Sequence, residues 1–210
     1  MEKRTVRRRG KPQCVALIGL PASGKSAVGS ALARRLGLSF VDLDEQIVAG
    51  TGRSIAEIFR LDGEEAFRLL ESESLEGATR GGRIILSTGG GCVLAPGNRS
   101  LLKERCTVVW LDVSPEVAAA RADPAGNREP HRGAGQKTKP TAGLDTKPAA
   151  GLDAKPPAVR PLLADGNVLE RMCALDAIRR PLYRECADII VQAEGKSPIA
   201  IVEELYAVLD

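Results

Sequence analysis

A chain of 210 residues with 43% hydrophobic side chains can bury one substantial core, and with only 3% aromatic residues that core must be mostly Leu, Ile, Val and Ala. A formal charge of +3 is too small to call for a nucleic-acid partner and suits phosphorylated small molecules equally well. Five cysteines (Cys14, Cys92, Cys106, Cys173, Cys186) without a C-x-x-C pair fit neither a disulfide framework nor a zinc site, and no apolar run approaches the ~18–20 residues that span a bilayer.

Residues 1–12 carry Lys3, Arg4, Arg7, Arg8, Arg9 and Lys11, with no apolar stretch behind them. They are expected to be a disordered, solvated basic tail rather than a secretory signal or a nucleic-acid arm. The domain is expected over 13–210. Its first strand is the apolar run Gln13–Ile18, continuous as in a strand buried on both faces. Gly19-Leu20-Pro21-Ala22-Ser23-Gly24-Lys25-Ser26 follows and fits G-x-x-x-x-G-K-[ST]. Glycines at both ends let backbone amides close on a phosphate, and the positive end of the next helix points the same way. In such a loop Lys25 reaches the β/γ-phosphates and Ser26 offers a hydroxyl to Mg²⁺, with ATP as the nucleotide.

Lys25–Leu36 reads as the first helix, ended by Gly37. Ser39–Asp44 reads as the second strand, in which alternation would put Asp42 and Asp44 on one side at the carboxyl end, where α/β sheets hold ligands. Glu45–Ala49 is a helical turn. Ser54-Ile55-Ala56-Glu57 is a capping box opening a short helix through Phe59. Gly63 interrupts, and Glu64–Leu75 is a strong helix whose Phe67, Leu70 and Leu75 form an apolar stripe; Arg68 lies on it. The third strand, Arg83–Thr88, runs into Gly89-Gly90-Gly91, whose bare amides suit a closely approaching small ligand.

Pro96–Glu104 is helical, Thr107–Asp112 is the fourth strand, and Ser114-Pro115 starts a helix to Arg121. The stretch 123–161 holds the only histidine, His131, and an eight-residue repeat: Lys139–Thr146, Lys147–Ala154, then Lys155-Pro156. It has too few apolar groups to fold alone and is expected to be a disordered surface insertion. Asn167–Cys186 reads as a long helix that Pro181 must bend or divide. Asp188–Val191 is the fifth strand, and Ser197-Pro198 starts the last helix. Five strands alternating with helices predict a parallel sheet covered on both faces.

These pieces together resemble the shikimate kinases, in the nucleoside-monophosphate-kinase branch of P-loop proteins. The resemblance runs from about Gln13 to Asp210 less the insertion. It rests on GLPASGKSAVG (Gly19–Gly29), FVDLD (Phe40–Asp44), GRSIAEIF (Gly52–Phe59), GEEAFRLLE (Gly63–Glu71), the strand leading through Gly91, RPLL (Arg160–Leu163) and RRPLYRECAD (Arg179–Asp188). It implies a three-layer α/β/α fold with a five-stranded parallel sheet and a lid over about 123–164. The implied activity is ATP-dependent phosphorylation of the shikimate 3-hydroxyl, in aromatic amino acid (chorismate) biosynthesis. The implied site has several parts. Gly19 to Ala27 hold the phosphates, with Lys25. Ser26 ligates Mg²⁺ and Asp42 holds a metal-bound water. Asp44 lies beside the attacking hydroxyl, and Arg68 and Arg179 clamp the substrate carboxylate. The amides of Gly89, Gly90 and Gly91 contact the ring. Arg160 swings from the lid over the phosphoryl group, and Arg121 and Pro198 border the adenine, with Arg128 and Arg132 as alternatives to Arg121. A cytoplasmic monomer with no membrane or nucleic-acid partner is expected.

Three departures stand out: Pro21-Ala22 replaces the Met-Gly usual in the loop, Ala27 replaces Thr, and the repeats lengthen the lid. A kinase for another small hydroxylated carboxylate such as gluconate, or a non-catalytic kinase-like sensor, would share many of these parts.

Overall fold

The structure is a computed structural model and describes residues 14–123 and 167–209. The basic tail, the repeat insertion with His131, Arg128 and Arg132, and the Arg160–Leu163 motif lie outside the described residues.

The five strands are β1 (Cys14–Ile18), β2 (Ser39–Asp42), β3 (Ile84–Ser87), β4 (Thr107–Asp112) and β5 (Ile189–Gln192). They form one parallel sheet in the order β2-β3-β1-β4-β5. Every side chain of β1 is buried, as its unbroken apolar run requires of a central strand. β1 has β3 on one side and β4 on the other, so the strand order switches direction there. The crevice at the carboxyl end of such a switch point is where open α/β sheets bind ligands.

Around the sheet lie α1 (Lys25–Leu36), α2 (Leu43–Thr51), α3 (Ile55–Arg80), α4 (Pro96–Arg105), α5 (Pro115–Ala122), α6 (Val168–Cys186) and α7 (Pro198–Leu209). The main core is made almost wholly of Val, Leu, Ile and Ala, with Trp110 and Tyr183 as its aromatic members. A second small core (Ile47, Ile58 and Phe67) ties α2 to α3 and holds the helix that carries Arg68.

Local signals set most element ends. α1 stops at left-handed Gly37, whose N–H returns to Ala33 and Arg34 carbonyls. The Ser54–Glu57 capping box is formed in both directions. Ser197 caps α7 through the Ala200 amide.

Four expectations change. β2 ends at Asp42, not Asp44, and α2 begins at once. The Asp42 carboxylate accepts the Asp44 N–H at 3.1 Å, the N-cap role in which Asp ranks among the best residues, so Asp44 lies in the first helical turn and strand alternation does not place it. The two helices around Gly63 are longer than expected and meet at a kink where Gly63 takes φ 83°, ψ 176°; the second runs on to Arg80. Pro181 does not divide α6, which continues to Cys186 because Met172 before it and Tyr183 and Cys186 after it are buried in the same core. A 3₁₀ turn, Cys92–Leu94, follows the glycines unannounced.

Candidate active site

The phosphate loop joins the end of β1 to α1. Gly19 sits at φ 142°, and a Cβ there would lie 2.7 Å from the Leu111 carbonyl oxygen, so only glycine fits. Ala22 holds φ 59°, the only non-glycine with positive φ among the described residues. Lys25 is buried, and its Nζ donates to the carbonyls of Gly19 (3.0 Å) and Leu20 (2.8 Å), across the loop it closes. Ser26 Oγ donates to Asp42 Oδ2 at 2.7 Å and lies 3.4 Å from Ser87 Oγ. The first residue of α1's exposed turn and the last residue of β2 thereby share one point in space. Ala27 is exposed at the start of α1.

Beside the loop a cleft of about 240 Å³ is lined by Ser23, Gly24, Val28, Arg121, Pro198 and Ile201, with Lys196 at its edge. Arg121 Nη1 donates to the Ser23 carbonyl at 3.4 Å. Arg121 and Pro198 thus meet at the same opening from α5 and α7. Lys196, paired with Glu204, is absent from the sequence-derived set. Its signal was a cation directly before the Ser197-Pro198 helix start.

On the other side, the Gly89–Gly91 loop gathers the remaining residues. A Cβ on Gly89 would collide with Glu71 and lie 3.2 Å from Asp44 Oδ1. One on Gly90 would lie 3.3 Å from Arg179 Nη1, 3.1 Å from Pro21 Cδ and 3.3 Å from the Gly19 carbonyl. One on Gly91 would lie 2.5 Å from Arg68 Nη1. The three glycines therefore abut the phosphate loop on one side and Asp44, Arg68 and Arg179 on the other, with no room for side chains of their own. Of the expected site residues only Arg160 is outside the described part.

Two partners were missed. Glu71, 1% exposed, accepts from Arg68 Nη1 at 2.7 Å, while its other oxygen has no hydrogen-bond partner. Burial pushes its carboxyl above the ordinary glutamate value, against the pull of Arg68. Burial also works against the Arg68 charge, and Glu71 and Glu64 outweigh it. Tyr183 donates to the Gly90 carbonyl at 2.5 Å and hydrogen-bonds the buried Arg179; burial pushes its phenol up. Both partners were findable from spacing, since Arg68–Glu71 and Arg179–Tyr183 are i,i+3 and i,i+4 neighbours on their helices.

Two guanidinium forks, a carboxylate and a set of bare amides can grip a small polyhydroxylated acid, next to a loop built for phosphates. The family model for shikimate kinase matches residues 21–149. The chain is 37% identical to a shikimate kinase from Symbiobacterium thermophilum, over 91% of this chain and 92% of that one. It is 39% identical to one from Paracidovorax citrulli, over 96% and 94%. Its fold matches that of a shikimate kinase from Acinetobacter baumannii solved in complex with shikimate, with a TM-score of 0.75, 28% identity and coverage of 94% and 93%. This chain belongs to the shikimate kinase family.

Proposed function

We propose that the chain transfers the terminal phosphoryl group of ATP to the 3-hydroxyl of shikimate, giving shikimate 3-phosphate and ADP. The observation that carries this is the meeting of Asp44, Arg68 and Arg179 around Gly89–Gly91, directly against Gly19 and Pro21 of the phosphate loop.

In this reading the loop amides and Lys25 hold the β- and γ-phosphates, and Arg121 and Pro198 flank the base. Arg68 and Arg179 take the substrate carboxylate; Arg68 exchanges its solvent-facing partner Glu64 for it and keeps Glu71. Asp44, free to approach the ring beside Gly89, orients the attacking hydroxyl and accepts its proton. The Gly90 and Gly91 amides contact the ring. Arg160 closes from the lid onto the phosphoryl group. Phosphoryl transfer needs alignment and charge neutralisation more than covalent help, and every group named supplies one of these.

The Ser26 hydroxyl and Asp42 carboxylate, already 2.7 Å apart, are hard oxygen donors of the kind Mg²⁺ takes alongside phosphate oxygens and water. Bound there, Mg²⁺ would neutralise phosphate charge. The cysteines are all unpaired, which supports a reducing compartment, and a monomer in the cytoplasm is the corresponding proposal. Among the described residues no helix is long and apolar enough to cross a membrane.

A coupled ADP-release assay with Mg·ATP tests the reading. Shikimate, and not gluconate, is expected to drive turnover. Turnover with gluconate alone would move the assignment to another hydroxylated acid, and nucleotide and shikimate binding without turnover would favour the sensor.

A further inference from the structure

Arg179 is followed on α6 by a second arginine that faces the other way and touches none of the substrate residues. Arg180 is held on three sides. Its Nη2 pairs with Asp112 Oδ1 at 3.0 Å and its Nη1 donates to Asp112 Oδ2 at 3.3 Å. Its Nε donates to Asp176 Oδ2 at 2.7 Å, one turn earlier on the same helix. Its guanidinium stands 5.3 Å from the centre of the Trp110 ring. Asp112 is the last residue of β4, is buried, and also accepts from Gln192 of β5 at 3.1 Å.

The clamp sits where α6 is weakest. Pro181 has no N–H, so the Ala177 carbonyl lacks its helical donor in the very turn that carries both arginines. It also sits where aim matters. Trp110, under the Arg180 guanidinium, packs on Tyr183 with ring centres 5.8 Å apart, and Tyr183 holds both Gly90 and Arg179. Side chains reach ~5–6 Å from a helix axis, so a rotation of about 10° would move Arg179 by about 1 Å. A shift of that size in a substrate-positioning group can cost up to about a hundredfold in rate.

We propose that Arg180 is a positioning residue: by locking α6 to the ends of β4 and β5 across the Pro181 gap, it sets the rotation of the helix and so the aim of Arg179 and Tyr183 at the Gly89–Gly91 loop. The kinetic part of the test rests on the function proposed above; the exchange part does not.

The test uses the full chain and the pair Asp112→Asn/Arg180→Met, which removes the clamp without leaving a buried carboxylate unpaired. Its melting temperature is expected within a few degrees of the parent. Its KM for shikimate is expected to rise about tenfold with the KM for ATP within about twofold, and the amides of 182–186 to exchange with solvent about tenfold faster. A folded pair variant whose shikimate KM stays within about twofold of the parent's, or whose two KM values rise together, overturns the proposal. If the pair variant does not fold, Arg180→Lys, which keeps Asp112 paired but cannot serve Asp112 and Asp176 as one rigid fork, is held to the same criteria. If the parent itself releases no ADP in response to shikimate, the proposed function fails, and the exchange rates alone decide: unchanged protection of 182–186 overturns the clamp and faster exchange upholds it.

Discussion

Ser26 donates its hydroxyl to Asp42 Oδ2 at 2.7 Å, which ties the start of α1 to the end of β2. Asp42 does two things at once: one oxygen receives Ser26, and the other caps α2 through the Asp44 amide. Asn caps helices about as well as Asp but brings no negative charge. Asp42→Asn is therefore expected to keep the melting temperature within a few degrees while lowering activity by about tenfold to a hundredfold, the usual cost of losing a group that orients a metal. Turnover measured across a Mg²⁺ titration checks this: the midpoint should move to higher concentration.

Lys25 is buried against the carbonyls of Gly19 and Leu20, so its ammonium both shapes the loop and carries the charge aimed at phosphate. Lys25→Met keeps the length of the side chain and removes the charge. Turnover should fall by at least about a thousandfold. The coupled assay at saturating shikimate reads the loss, and near-parent activity would remove Lys25 from the machinery.

Arg68 and Glu71 are a buried pair, and the two halves predict different things. Arg68→Ala should chiefly raise the KM for shikimate, and should also destabilise the fold by about 3 kcal/mol, because it leaves Glu71 buried without its counter-charge. Glu71→Gln probes the pH dependence. The Glu71 carboxyl is raised above its ordinary value of 4.5 in the folded chain. The unfolded chain therefore releases this proton first as pH rises, and the stability present below 4.5 is lost as pH passes through the raised folded value. The difference in melting temperature, Glu71→Gln minus parent, should accordingly grow more positive from pH 4 towards neutrality. A difference that shrinks with pH would mean the carboxylate is favoured in the fold.

Ala22 at φ 59° carries a Cβ in a conformation that suits glycine. Ala22→Gly should relieve this by more than the entropy that glycine adds to the unfolded chain, a gain of roughly 0.5–1 kcal/mol. A chain of this length should then melt about 1–3 °C higher. Calorimetry checks the sign, and a lower melting temperature would show that the loop holds Ala22 without strain.

Deletion of residues 138–154, which lie outside the described part of the chain, is expected to leave the melting temperature within a few degrees. The repeats offer few apolar groups to any core, and shortening a loop changes its closure entropy only slowly. A collapse in stability would show that the repeats pack on the domain.

Much of the architecture could be read in chain order. The phosphate loop, the capping box at Ser54, the Gly37 stop and the alternation of strands with helices are all contiguous signals, each deciding the conformation of its own few residues. Where two local signals competed, reading in order failed. Asp42-Leu43-Asp44 has the alternation of a strand end and the composition of a helix start, and the N-cap hydrogen bond won.

The tertiary structure alone decided which distant groups share a space. It set the order β2-β3-β1-β4-β5, brought Gly90 against Gly19, and buried Glu71 and Tyr183 beside the two arginines. Residues such as Glu71 look like any surface carboxylate in the sequence, because a helix dictates which positions share a face and not what covers that face. Only the packing of α3 and α6 over the glycine loop removes the water, and with the water gone a charge must have a partner.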